Sequence, residues 1–156
     1  MSGGSERFTL DTNLLAYGVD TTAGLRHQLA IEIVDRATER DCCLTLQALS
    51  EFYAAVTRKG MVPPAEAAAQ AENWLVAFPT AAASATAVRV ALADAVAGRM
   101  SYWDALLVAC AREAGCRVIL TEDMTDDANL GGVLIHNPFS SSGGLGTLAR
   151  RLLALE

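Results

Sequence analysis

Acidic residues stand at several junctions of this chain where an α/β fold would gather them. Asp11 closes a short apolar run, Phe8-Thr9-Leu10, and is followed directly by Thr12-Asn13. Glu51 and Asp104 lie in helical stretches, and Glu122-Asp123 end the apolar run Cys116-Arg-Val-Ile-Leu-Thr121. Each acid has an ordinary explanation. Asp11, Thr12 and Asn13 are all helix-capping types. Glu51 could be a first-turn acid favoured by the helix dipole. Asp104, three residues after Ser101, fits a capping box. Glu122, Asp123, Asp126 and Asp127 could be solvated loop acids. The alternative is a shared cation site. Oxygen ligands with no histidine or paired cysteine nearby suit Mg²⁺ or Mn²⁺ rather than zinc. Such a cation binds phosphate oxygens and activates water for in-line attack.

The surrounding elements decide between these readings. After Asp11 a short turn through Gly18 and Thr21-Thr22 leads into a helix expected over residues 25–40, with Leu25, Leu29, Ile33 and Ala37 on one face. Cys42-Cys43-Leu44-Thr45-Leu46 reads as a second strand, and residues 47–59 as a helix with a Leu49, Phe52, Tyr53, Val56 stripe. Glu51 lies about 200° around from Leu49 at about 100° per residue, off that core face. A helix over residues 65–78 would bury Trp74, Leu75 and Phe78, and a short strand is expected before Ser84. Another helix over residues 85–97 puts Val88, Leu92 and Val96 in register. The six residues after Asp104 are all apolar, as in a helix at the centre of a core. A carboxylate beside them costs desolvation energy unless it is paired or holds a cation. Gly115 ends that helix. Val133-Leu-Ile-His136 is the last strand, and Leu145, Leu148, Leu152 and Leu155 outline a short terminal helix.

Strands alternating with helices predict a three-layer α/β sandwich with a mainly parallel sheet. Ligands in such sheets bind at the carboxyl ends of the strands. Asp11, the start of the Glu51 helix, Asp104 and Asp123 are therefore expected to meet across one crevice. A chain of 156 residues makes about one domain, able to bury roughly two thirds of its unfolded surface. It is 52% hydrophobic and 19% charged, which excludes a disordered chain. No apolar run approaches the ~20 residues of a membrane span, so a cytoplasmic protein is expected, with Met1-Ser-Gly-Gly-Ser5 as a loose lead-in. Cys42, Cys43, Cys110 and Cys116 contain no C-x-x-C and read as buried thiols. The net charge of −6 excludes generic coating of nucleic acid by a basic surface. It leaves room for a nuclease whose own metal pocket is acidic.

Asp11-Thr12-Asn13 after a first strand, Ser50-Glu51-Phe52, Trp103-Asp104-Ala105 and Thr121-Glu122-Asp123 resemble the PIN domain in order and spacing over nearly the whole chain. Ile135-His136-Asn137-Pro138-Phe139 is similar to the ending of VapC-type toxins. The resemblance implies a Mg²⁺- or Mn²⁺-dependent endoribonuclease, usually a homodimer, held inactive by a small antitoxin. It implies Asp11 and Asp104 as principal ligands, completed by Glu51 and Asp123, with Thr12, Asn13 and Thr121 orienting them. Asp126 and Asp127 are alternatives for the fourth acid. The family often has glycine shortly after the last acidic pair, where this chain reads Met124-Thr-Asp-Asp-Ala128. Arg58, Lys59 and Arg99 are candidate RNA contacts. The domain is expected over residues 1–139, with residues 140–156 a flexible segment and short helix.

Three rivals remain. A haloacid-dehalogenase-type phosphatase would want a second Asp at position 13, which is Asn13. A receiver-like module would want a lysine at a late strand end, and Lys59 is the only lysine. A non-catalytic partner-binding PIN-like module would share the pocket without turnover.

Overall fold

The computed structural model describes residues 6–155. The lead-in, residues 1–5, lies outside them. The elements run β1 (Phe8–Leu10), α1 (Thr12–Tyr17), α2 (Leu25–Ala37), β2 (Leu44–Thr45), α3 (Leu46–Arg58), α4 (Pro64–Ala77) and β3 (Thr80–Ala81). There follow α5 (Ala85–Val96), α6 (Tyr102–Glu113), β4 (Val118–Leu120), β5 (Asn129–Leu130), β6 (Val133–His136) and α7 (Thr147–Leu152). Strands β1, β4 and β6 are parallel neighbours, and β5 pairs antiparallel on the outer side of β6. Strands β2 and β3 form a second parallel pair, joined to the β1 edge by a parallel bridge between Phe8 and Cys42.

Alternation along the strands splits the core into two layers. Val118 and Leu120 pack with Phe8, Leu10, Ile33, Leu49 and Phe52, whereas Ile119 packs with Ile135, Leu107 and Val108. Helices thus cover both faces of a mainly parallel sheet, as such sheets require. The register sets Leu10, Leu120 and His136 side by side, so the residues that follow them emerge along one edge. That edge is where the acids were expected.

Local chemistry explains the helix starts. Thr45, Ser84 and Ser101 each accept an N–H bond from the first turn of α3, α5 and α6. Gly115 closes α6 with φ +83°, a left-handed conformation that suits glycine. All four cysteines are buried and free. Among the described residues, no helix is long and apolar enough to cross a membrane.

The structure departs from the expected helix faces. Leu25, Tyr53, Leu75, Leu92 and Val96 are exposed. The reason is clearest where α5 meets α6: Ala87 and Ala91 face Ala105 and Ala109, and this close approach leaves the bulkier Leu92 and Val96 outside. Neither α1 nor β5 was anticipated from hydrophobic pattern, since both are short. Asp127 adopts φ +64°, and Asp is among the few side chains that tolerate that region.

Residues 140–155 are not a loose appendage. Phe139 bridges Leu145, and Leu145, Ala149, Leu152 and Leu153 belong to the same core cluster as Phe8 and Leu10. Arg36 and Arg40 of the α2 region donate to the carbonyls of Ala154 and Leu152, at 3.0 and 2.9 Å, satisfying the open end of α7. Leu153 is fully buried. Leu153→Ala is therefore expected to cost about 2–5 kcal/mol in a urea denaturation experiment. A change within experimental error would mean that the tail is detached in solution.

Candidate metal and active site

Asp11 is both a helix cap and a strand-end carboxylate. Its carboxylate caps α1 through the Thr12 N–H at 2.7 Å, and it stands at the carboxyl end of β1. Thr121, directly after β4, donates its hydroxyl to Asp11 Oδ2 at 2.8 Å. The Asn13 amide reaches Asp11 Oδ2, Thr121 Oγ1 and Asp123 Oδ2 at 3.3, 3.1 and 3.1 Å. One side chain from α1 thus ties two acids and a threonine from different elements. Asp123 N–H also donates to Thr121 Oγ1 at 3.1 Å.

Glu51 lies in the second turn of α3, which has no acid in its first turn. The dipole explanation for Glu51 therefore fails. Gln47, one turn earlier, donates to Glu51 Oε1 and to the Trp103 carbonyl, both at 3.0 Å. This links α3 to the start of α6. Ser101 Oγ accepts the Asp104 N–H at 3.2 Å, so half of a capping box exists. Among the described residues, no bond returns from the Asp104 carboxylate to the Ser101 N–H, and capping leaves that carboxylate unused.

Asp11, Glu51, Asp104 and Asp123 all line one cleft of about 660 Å³, together with Thr12, Asn13, Arg58 and Lys59. Burial raises the Asp11 carboxyl to about 6; the bonds from Thr121 and Thr12 oppose the rise, and the charges of Asp104 and Asp123 add to it. Asp104 and Asp123 are therefore near enough to repel Asp11, and the ligand atoms of all four acids are hard oxygens. This set fits Mg²⁺ or Mn²⁺.

The remaining sequence candidates divide cleanly. Arg99 is not among the residues lining the cleft; it pairs with Asp94 at 2.9 Å. Glu122 is drawn away from the cleft by Tyr17, whose hydroxyl donates to it at 2.6 Å, and by Arg26 at 2.7 Å. Asp126 and Asp127 also lie outside the cleft lining, where they form a separate group with His136 whose ligand atoms are within 4.8 Å of one another. Asp126 accepts the Asn137 N–H at 2.8 Å, which fastens its loop to the end of β6. His27 is satisfied by the Tyr17 carbonyl at 2.8 Å. Sequence reasoning missed Gln47, Tyr17 and Asp20, which also line the cleft. Only Gln47 carried a signal, its spacing of one helical turn from Glu51.

No family model matches this chain, and no curated protein matches it significantly. Solved structures do match. VapC20 of Mycobacterium tuberculosis, described as a sarcin–ricin loop cleaving toxin, is 18% identical with a TM-score of 0.61, over 74% of this chain and 89% of that one. DNA-bound VapBC from Salmonella typhimurium is 17% identical with a TM-score of 0.61, over 84% and 97%. PAE2754 of Pyrobaculum aerophilum is 18% identical with a TM-score of 0.59, over 98% and 99%. At these identities the likeness is one of fold. The parallel sheet clad on both faces is the PIN-like architecture that the sequence resemblance implied.

Proposed function

We propose that this protein is a metal-dependent endoribonuclease, the toxin of a toxin–antitoxin pair. The observation that carries the reading is the convergence of Asp11, Glu51, Asp104 and Asp123 on one cleft that also presents Arg58 and Lys59. The descriptions of the fold neighbours as VapC toxins and VapBC complexes support it.

Asp11 and Asp104 would hold the cation, with Glu51 and Asp123 completing its surroundings. A bound Mg²⁺ or Mn²⁺ supplies charge neutralisation at the phosphate and a more acidic water. The protein's own part is orientation and proton transfer. Thr12, Asn13 and Thr121 fix the Asp11 carboxylate, as outer partners of metal-binding acids do. Gln47 holds one oxygen of Glu51 and leaves the other to accept a proton from the attacking water. Arg58 and Lys59 would meet the RNA backbone. The phosphatase alternative needs an acid where Asn13 stands, and that amide is fully engaged in cross-linking the site.

Attack by water leaves a simple phosphate monoester, whereas attack by the RNA's own 2′-hydroxyl leaves a cyclic phosphate. Purified protein incubated with a mixed RNA pool and Mg²⁺ or Mn²⁺ should give fragments without cyclic ends. No cleavage under any metal condition, or cyclic ends throughout, would remove this reading.

The partners belong to the same proposal. Homodimerisation is consistent with the exposed Val76 and Val96 on α4 and α5, and a small antitoxin would cover the acidic cleft. Light scattering is expected to give twice the monomer mass at micromolar concentration; a monomer at every concentration refutes the dimer. Pull-down after co-expression with the neighbouring small reading frame tests the antitoxin, and failure to co-purify counts against it.

A further inference from the structure

A tryptophan buries more apolar area than almost any other side chain, yet Trp103 is 57% exposed. It lines the cleft directly beside Asp104. One side of the ring is nevertheless packed, and its backbone is anchored. Tyr102 meets it edge to face, centroids 5.0 Å apart at 73°, and Gln47 anchors the Trp103 carbonyl at 3.0 Å while also holding Glu51. The other tryptophan, Trp74, is buried against Phe52 and serves the core. Trp103 has no comparable packing role.

We propose that Trp103 is a stacking platform for one nucleobase of the bound RNA. The inference rests on the ribonuclease reading and adds how the substrate is gripped. The cleft's acids repel an anionic group unless a cation intervenes, and Arg58 and Lys59 are the cations available to the backbone. Recognition beside Asp104 therefore falls to an uncharged π-face. An aromatic ring already packed on one side and otherwise uncovered has less freedom to lose when a base stacks on it. Every base has a π-face, so Trp103 confers grip at a nucleotide next to the cut rather than choice of sequence. A base already stacked in a duplex is less available to it, which favours unpaired nucleotides.

The test uses an RNA oligonucleotide carrying one mapped cut site, and versions with a single abasic nucleotide on either side of the cut. Trp103→Ala should raise KM about 5- to 150-fold, the range that stacking gives, with kcat much less affected. Trp103→Phe should recover most of the loss. One abasic position should impose the same penalty on the parent and none further on Trp103→Ala. In the Asp104→Asn variant, RNA binding should quench the exposed tryptophan's fluorescence without cleavage. An unchanged KM in Trp103→Ala, or an abasic penalty undiminished in it, overturns the platform while leaving the nuclease intact. Absence of cleavage by the parent overturns both.

Discussion

Asp104→Asn, and separately Asp11→Asn, are expected to lower metal-dependent RNA cleavage by more than about a hundredfold while the fold survives. Losing an outer partner of a metal ligand alone costs about 10- to 100-fold, so removing a principal ligand's charge should cost more. The structure explains why folding is spared. Ser101 caps α6 through the Asp104 backbone N–H, which Asn retains, and the Asp104 carboxylate has no partner to lose among the described residues. At position 11, Asn keeps one oxygen to accept from Thr12 or Thr121 and loses the other. Some stability is therefore at risk there, and Asp104→Asn is the cleaner variant. Cleavage rates and circular dichroism on both proteins decide the matter. Near-parental rates from a folded Asp104→Asn would remove Asp104 from the cation site.

Metal-free protein should be more stable at pH 5 than at pH 7. The folded Asp11 carboxyl titrates at about 6 against an ordinary value of 3.8. A raised folded value gives stability that is complete below the unfolded pKa and is lost as pH rises through the folded one. The gap corresponds to about 3 kcal/mol, most of it lost between about pH 4 and 6.5. Asp20, held below the ordinary range by Thr22, acts in the opposite sense but only at lower pH. Mn²⁺ should reverse the loss at neutral pH. At about 100 times its Kd it adds about 2.7 kcal/mol, or about 5–10 °C in Tm for a chain of this size. Asp104→Asn should melt higher than the parent without metal, having one repelling charge fewer, and gain much less from Mn²⁺. Equal Mn²⁺ shifts in both proteins, or a lower metal-free Tm for the variant, would mean that the acids do not share a cation.

The candidate site was legible in the sequence where a local pattern marked it. Asp11 and Asp123 follow apolar runs that had to be strands, and parallel strands bring their ends to one edge. Glu51 stood off its helix's apolar face. What decided between neighbouring acids was distant in sequence. Asp123 lines the cleft whereas Glu122 is engaged by Tyr17 and Arg26, about a hundred residues earlier. Arg99 lies off the cleft lining, where Asp94, five residues earlier, pairs with it. The faces of α5 could not be read from size alone, because alanine packing against α6 outweighed the larger side chains. The tail's leucines were visible as a helix, but their docking depends on Arg36, Arg40 and a core surface that no periodicity displays.

The central claim is that the clustered carboxylates form a cation-dependent RNA-cleaving centre. One gel tests it most directly: the same RNA pool incubated with parent and Asp104→Asn, each prepared identically, in Mn²⁺ and in EDTA. Fragments from the parent in Mn²⁺ alone are the predicted result. Equal fragmentation in EDTA, or by folded Asp104→Asn, would contradict it.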